Sequence, residues 1–269
     1  MGELTLMDRL KGKNIVITGA SGGIGAEIAK LCAARGANLV LLARRIEKLR
    51  ELQTVLQQQY PVKIDLFQLD VSDTEQVKLV FEQIFTKWGS IDVLVNNAGY
   101  GVFRYAHEAT IDEIKGMFSV NVIGLMAATS MVLPKMRARR SGHIINIASQ
   151  AGKMATPKSS VYSASKHAVL GYTNALRMEL ADFNVYVTAV NPGPVATNFF
   201  AIADEEGTYV KNVQRLLLQP EYVAKKVVDA MFTRTREINL PRWMNMGTVL
   251  HTLFPRLVER LGKRVLNQK

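Results

Sequence analysis

The chain has 269 residues, 48% of them hydrophobic, a formal net charge of +11 and a single cysteine. That length can bury the core of one large α/β domain, and no shift in composition divides it. Cys32 alone excludes an internal disulfide, no run of about 18 apolar residues suggests a membrane-spanning helix, and the charged stretch 1–13 lacks the apolar segment of a secretory signal. Leu6 stands where N-myristoylation needs Ser or Thr. A reducing, cytoplasmic location is therefore expected. The basic balance suits nucleic acid, an anionic membrane or an anionic small ligand. No nucleic-acid-binding motif is visible, so nucleic acid is not expected as a partner. His107, His143, His167 and His251 lie far apart without metal-ligand spacing, and no metal is expected.

In chain order, residues 14–18 read as a first strand and 25–35 as the helix after it, closed by Gly36, with Cys32 on its apolar side. Residues 38–42 form a second strand, 47–59 a helix ended by Tyr60-Pro61, and 63–68 a third strand. A helix over 73–88 stops at Gly89, and 91–95 is a fourth strand. A long helical region spans 111–139, broken locally near Pro134. Then come a fifth strand (143–148), a long helix (160–183), a sixth strand (185–190) and a helix over 223–233. Apolar strands alternating with long helices build βαβ units. The fold class is thus α/β: a single-domain, Rossmann-type, doubly wound parallel sheet with helices on both faces. In such a sheet ligands sit beyond the carboxyl ends of the strands, at the topological switch point. Residues 1–240 are read as the catalytic domain and 241–269 as a basic amphipathic extension.

After the first strand comes Thr18-Gly19-Ala20-Ser21-Gly22-Gly23-Ile24-Gly25. Gly19 permits a tight turn, Gly23 lets a pyrophosphate approach the backbone, and Gly25 lets the helix pack close to the sheet. The free N–H groups at the helix start attract phosphate. Ser21, Gly22 and Ile24 belong to the same turn, which is read as a dinucleotide site. An acidic residue at the end of the second strand would favour NAD(H) through the ribose 2′-OH. Here stand Ala43-Arg44-Arg45. Arg44 and Arg45 either form a solvated basic loop or pair with a 2′-phosphate, and the lack of an acid favours NADP(H). Asp70-Val71 either contacts the adenine or leads into a helix N-cap.

Asn96-Asn97-Ala98-Gly99, Asn121, Ser149, Tyr162-x-x-x-Lys166, Pro192-Gly193 and Thr197 follow the glycine turn in that order. On these motifs, over residues 10–235, the chain resembles the classical short-chain dehydrogenases/reductases. The resemblance implies hydride transfer between a nicotinamide dinucleotide and a small-molecule carbonyl or alcohol. Asn121, Ser149, Tyr162 and Lys166 would be catalytic: Ser149 holding the substrate oxygen, Asn121 holding a relay water, Lys166 bonding the nicotinamide ribose. Asn97, Ala98 and Gly99 would line the adenosine and ribose side, with Pro192, Gly193, Val195 and Thr197 near the nicotinamide. From the residues themselves, Tyr162 and Lys166 lie four apart and share a helix face. A free phenol titrates near about 10, and a nearby ammonium is expected to lower that value. Tyr162 then serves as general acid or base.

Residues 194–219 match the family's mobile substrate lid. Phe199 and Phe200 there, with Tyr100, Phe103, Gln150 and Met154, either edge a largely apolar pocket for a lipophilic carbonyl or pack the lid onto the body. Past Trp243, Met246, Leu250, Leu253, Phe254, Leu257 and Leu261 recur at helical spacing, interrupted by Pro255, with Arg256, Arg260, Lys263 and Arg264 alongside. This stripe in 243–269 could make peripheral contact with an anionic membrane, dock on the core or meet a second subunit. A homodimer or homotetramer through helices 111–139 and 160–183 is implied by the resemblance. The competing reading is a non-catalytic NADP(H)-binding sensor or scaffold.

Overall fold

The structure, a computed structural model, describes residues 9–204 and 207–266, apart from the side chains of residues 208, 210, 212, 215 and 261–266. The expectations for residues 1–8 and for the side chains of Leu261, Lys263 and Arg264 lie outside the described residues.

The elements run β1 (Asn14–Thr18), α1 (Gly23–Ala34), β2 (Asn38–Ala43), α2 (Ile46–Gln59), β3 (Ile64–Gln68), α3 (Thr74–Trp88), β4 (Val93–Asn96), α4 (Ile111–Phe118) and α5 (Leu125–Ala138). They continue β5 (Gly142–Ile147), α6 (Ser160–Glu179), β6 (Val185–Pro192), α7 (Phe200–Ala203), α8 (Thr208–Val213), α9 (Pro220–Ala230), β7 (Glu237–Leu240), α10 (Arg242–Leu253) and α11 (Pro255–Leu266). All seven strands are parallel, in the order β3-β2-β1-β4-β5-β6-β7. The order reverses between β1 and β4, and that reversal opens a crevice at the carboxyl edge.

Alternate strand residues face opposite sides of the sheet. Ile15 and Ile17 join a core with Ile28 and Cys32 of α1, Leu49 of α2 and Val223 and Val227 of α9. Val16, between them, joins a second core with Phe81 of α3, Val132 of α5 and Leu176 of α6. Both faces are covered, which is why the strands read as continuous apolar runs. Cys32 is fully buried against Met231, and burial pushes its thiol up to about 12. Asp73 caps α3 through the Gln76 amide, one residue outside the helix expected to include it. Thr110 and Glu113 close a capping box at the start of α4.

The fold departs from these expectations or qualifies them at three places. The helical region after residue 110 breaks at a π-helical segment, Ser119–Gly124, and Pro134 sits inside α5. The exposed side of α5 leaves the Ser130 carbonyl to water, so the proline is tolerated. The π turn instead lets Gly124 rest on β3's following loop, where a Cβ would lie 2.4 Å from the Val71 carbonyl oxygen. Second, Ile111–Ala138 is long and apolar enough to cross a membrane by length and composition. Its buried residues, among them Met117, Ala128, Val132 and Met136, nevertheless pack in the interior of the fold. Third, the sheet has a seventh strand: β7 is four residues long and pairs along one edge of β6, too short to show a pattern.

His143 in β5 shows how strictly the interior treats charge. Its Nδ1 accepts from the Phe232 amide at 3.0 Å, and its Nε2 faces Thr188 Oγ1 at 2.9 Å. A proton on Nδ1 would set two donors face to face, and burial pushes the imidazole down to about 3. The folded pKa lies below the unfolded one, so acid protonates the unfolded chain first and stability falls as pH drops through 6.5 toward 3. Denaturant unfolding should show this group removing about 2 kcal/mol between about pH 7 and about pH 5. His143→Gln should start less stable but lose less over that interval; an equal loss in both proteins would contradict the assignment.

Candidate active site

The glycine turn lies in the crevice between β1 and β4. Gly19 has φ +66° and meets β4's loop so closely that a Cβ would stand 2.8 Å from Ala98 Cα. Gly25 carries the tightest approach: a Cβ there would lie 2.5 Å from Asn97 Nδ2 and 2.6 Å from the Gly19 oxygen. Asn97 spends that amide on the carbonyls of Thr18 (3.0 Å) and Gly19 (3.1 Å), while Thr18 Oγ1 accepts from the Asn97 and Ala98 amides. The ends of β1 and β4 are thereby stitched together. Helix α1 starts at Gly23, two residues earlier than expected, with no side-chain cap and no acid in its first turn. Its first N–H groups and positive dipole end are left to an anion.

At the end of β2, Arg45 Nη2 donates to Ser21 Oγ at 3.2 Å. Arg44 is largely exposed and lies 3.8 Å from Asp70. Asp70 accepts from the Ser72 amide and hydroxyl. Burial acts to raise its pKa, but those bonds and Arg44 hold it below the ordinary carboxylate value. Asp70 thus closes a local turn while also edging the cavity, and the α3 cap is Asp73.

The catalytic candidates gather across the cleft. Tyr162 and Lys166 lie on α6, both nearly buried. Lys166 Nζ donates to the Ile147 carbonyl at 2.9 Å and lies 5.8 Å from the Tyr162 ring centre. Ser149, after β5, accepts from the Ala151 amide and hydrogen-bonds the Tyr162 phenol. Asn121, in the π segment, accepts from the Tyr100 amide (3.0 Å) and donates to the Tyr100 carbonyl and Ser165 Oγ. Its Oδ1 keeps one acceptor position. Gly99 separates Asn121 from Lys166; a Cβ there would lie 3.0 Å from Asn121 Oδ1 and 3.5 Å from Lys166 Nζ.

Electrostatics depart from the expected lowering of the phenol. Burial pushes Tyr162 up to about 12, only partly offset by Ser149, and pushes Lys166 down to about 8. Desolvation outweighs the lysine because its ammonium is engaged with Ile147 rather than with the phenol oxygen. The protein by itself therefore favours a neutral phenol.

One cavity of about 730 Å³ joins these groups. Its far end is edged by Ser21, Gly22, Gly23, Ile24, Arg44, Arg45, Asp70 and Val71. Asn97, Ala98 and Gly99 lie mid-way, Ser149, Tyr162, Lys166, Pro192, Gly193 and Val195 line the near end, and Thr197 stands against Gly23, where a Cβ would meet its side chain at 3.1 Å. Tyr100, Phe103, Gln150, Met154, Phe199 and Phe200 also line it. Gly25 and Asn121 stand one layer behind the wall. The anion-ready helix start, the close glycine cradle and the two arginines fit a phosphate-bearing dinucleotide, and Tyr162 lines the same cavity.

Several lining residues escaped the sequence reading. Lys48 adds a third cation near Arg44 and Arg45. Trp243, Met244, Gly247 and Thr248 of α10 close one side. Lys48 looks like any helix-surface lysine. The α10 residues belong to a segment read as an extension, although a period placing 244 and 248 on one helical face was present.

The model for short chain dehydrogenases matches residues 13–207. An NADP-dependent 3-hydroxy acid dehydrogenase of Schizosaccharomyces pombe is 36% identical over 238 residues, covering 85% of this chain and 90% of its own length. Dehydrogenase/reductase SDR family member 7B of Mus musculus is 33% identical over 264 residues, 94% of this chain and 80% of its own. A short chain dehydrogenase/reductase from Burkholderia phymatum, solved in complex with NAD, superposes with a TM-score of 0.85 at 26% identity, covering 92% of this chain and 95% of that one. With that family's motifs assembled around one cleft of a doubly wound sheet, this chain belongs to the short-chain dehydrogenase/reductase family of oxidoreductases.

Proposed function

We propose that the protein is an NADP(H)-dependent reductase or dehydrogenase of a lipophilic carbonyl/alcohol pair, with Tyr162 as general acid/base. The observation that carries this reading is the convergence of Ser149, Tyr162 and Lys166 on a cavity whose other end holds the glycine turn and Arg44 and Arg45. NADPH held in this cavity would supply the hydride for the carbonyl carbon, and its oxidised form would carry a positive charge. Ser149 orients the substrate oxygen and Tyr162 gives it the proton. In the reverse direction Tyr162 removes that proton. Lys166 anchors the ribose and restores the phenol's proton, and Asn121 positions the water that links Lys166 to solvent. The Arg45–Ser21 contact and the exposed Arg44 support recognition of a 2′-phosphate. Phe103, Phe199, Phe200, Tyr209 and Met154 support an apolar substrate.

Assembly and place follow the same reading. A homodimer or homotetramer through α4–α5 and α6 would cover Ile111, Ile123 and Met178, which are exposed. The enzyme would work in the cytoplasm, with 243–269 as a peripheral membrane contact.

Tyr162→Phe keeps the ring and removes the acid. It should lower kcat by about 100- to 10,000-fold in an NADPH-oxidation assay over a panel of ketones, with NADPH binding within a few-fold of wild type. Undiminished turnover would refute Tyr162 as the acid. Absence of turnover in the wild type on every carbonyl class, with NADPH bound, would favour the sensor reading.

Arg44→Ala with Arg45→Ala should weaken NADPH by about tenfold, a charge-assisted pair at an exposed site, while leaving NADH unchanged. Equal loss for both dinucleotides would count against 2′-phosphate recognition.

A further inference from the structure

Helix α10 is held firmly on its inner side. Gly193 and Leu240 join the turn after β6 to β7 at 2.6 Å, and a Cβ on Gly193 would lie 3.0 Å from Met244 Sδ. Lys153 Nζ bridges Glu237 of β7 (2.5 Å) and Asn245 of α10 (3.3 Å). Thr248 is buried. Met244, Gly247 and Thr248 face the cavity.

The opposite side of the same helix is apolar and uncovered. Met246, Leu250 and Leu253 are 77%, 48% and 65% exposed, and Phe254 and Leu257 continue the stripe. Trp243 lies at the seam: it lines the cavity and is 57% exposed. Ile202 of α7 and Leu216 after α8 also both line the cavity and stand exposed. The cavity mouth therefore has apolar residues on its rim, and Trp243 among them also begins α10, whose outer face is apolar.

Charge identifies the occupant. Residues 241–269 contain Arg242, Arg256, Arg260, Lys263, Arg264 and Lys269 against Glu259 alone, so this segment carries +5 of the chain's +11. Two copies meeting here about a two-fold axis would bring like charges together. An anionic bilayer accepts the apolar stripe and the cations at once, with a tryptophan at the boundary.

Building on the oxidoreductase reading above, we propose that α10 and α11 seat the cavity mouth on an anionic membrane surface, and that the carbonyl substrate is a bilayer-dissolved, long-chain compound that enters from the lipid past Trp243. The lipid face and the reaction chamber are then two sides of one helix.

Trp88 is nearly buried and so shielded from lipid-borne bromine, which leaves Trp243, the other tryptophan of the chain, as the residue that such a quencher can reach. Brominated phosphatidylglycerol/phosphatidylcholine vesicles should quench the NADPH-loaded protein's tryptophan emission, and the protein should bind them about tenfold or more tightly than pure phosphatidylcholine vesicles. Turnover of a long-chain methyl ketone held in the vesicles should rise by a similar factor with anionic lipid. Met246→Glu with Leu253→Glu should abolish quenching and that rise, while the rate on a water-soluble aryl ketone and the molecular mass in solution stay unchanged. The proposal fails if the wild type is not quenched, if the double variant is quenched equally, or if the variant changes the oligomer, which would assign the face to a second copy. Quenching without any lipid dependence of turnover overturns the substrate route. Quenching with no turnover of any ketone counts against the oxidoreductase reading and leaves docking supported.

Discussion

Burial of a phenol and an amine side by side at the carboxyl edge of a parallel sheet is the constraint on which the rest depends. Water is excluded from Tyr162 and Lys166 by the π-helical turn behind them, the Gly101 loop pressed on the Tyr162 ring and the aromatic lid in front. Exclusion drives the phenol up and the ammonium down. A phenol so placed resists ionisation unless something in the cavity supplies a positive charge. The oxidised nicotinamide would bring a positive charge to that place, so proton exchange at Tyr162 becomes coupled to the state of the cofactor. In the proposed reducing direction a neutral phenol would already be the proton donor that the chemistry needs.

The sheet makes this burial possible. Strands that reverse their order between β1 and β4 leave a crevice, and Asn97 ties its two walls together through Thr18 and Gly19. The same amide fills the space that a side chain at Gly25 would need. Sheet support and the wall of the proposed dinucleotide site are accordingly the same few atoms. That explains why a polar residue at a strand end can serve packing and binding together.

Much of this was legible in the sequence because it rests on local patterns. Strands with apolar runs, helix stops at Gly36 and Gly89, the glycine turn and the four-residue spacing of Tyr162 and Lys166 each leave a short-range signal. What was not legible depends on long-range packing. The π turn at Ser119–Gly124 follows from Gly124 meeting Val71, some fifty residues away in the chain, and no local rule moves the break there from Pro134. β7 exists because β6 offers it an edge. The direction of the Tyr162 shift depends on Lys166 being turned toward Ile147, which sequence spacing does not specify. The inner face of α10 was hidden behind its more conspicuous apolar and basic outer face.

The central claim is that burial holds the Tyr162 phenol above its ordinary value until a positive charge enters the cleft. A titration of Tyr162 by nuclear magnetic resonance in carbon-labelled tyrosine protein, with and without oxidised dinucleotide, tests it directly. The account predicts a phenol near about 12 in the protein alone and a marked fall when the oxidised cofactor binds. An ordinary phenol value in the free protein, or no movement on loading, would contradict it.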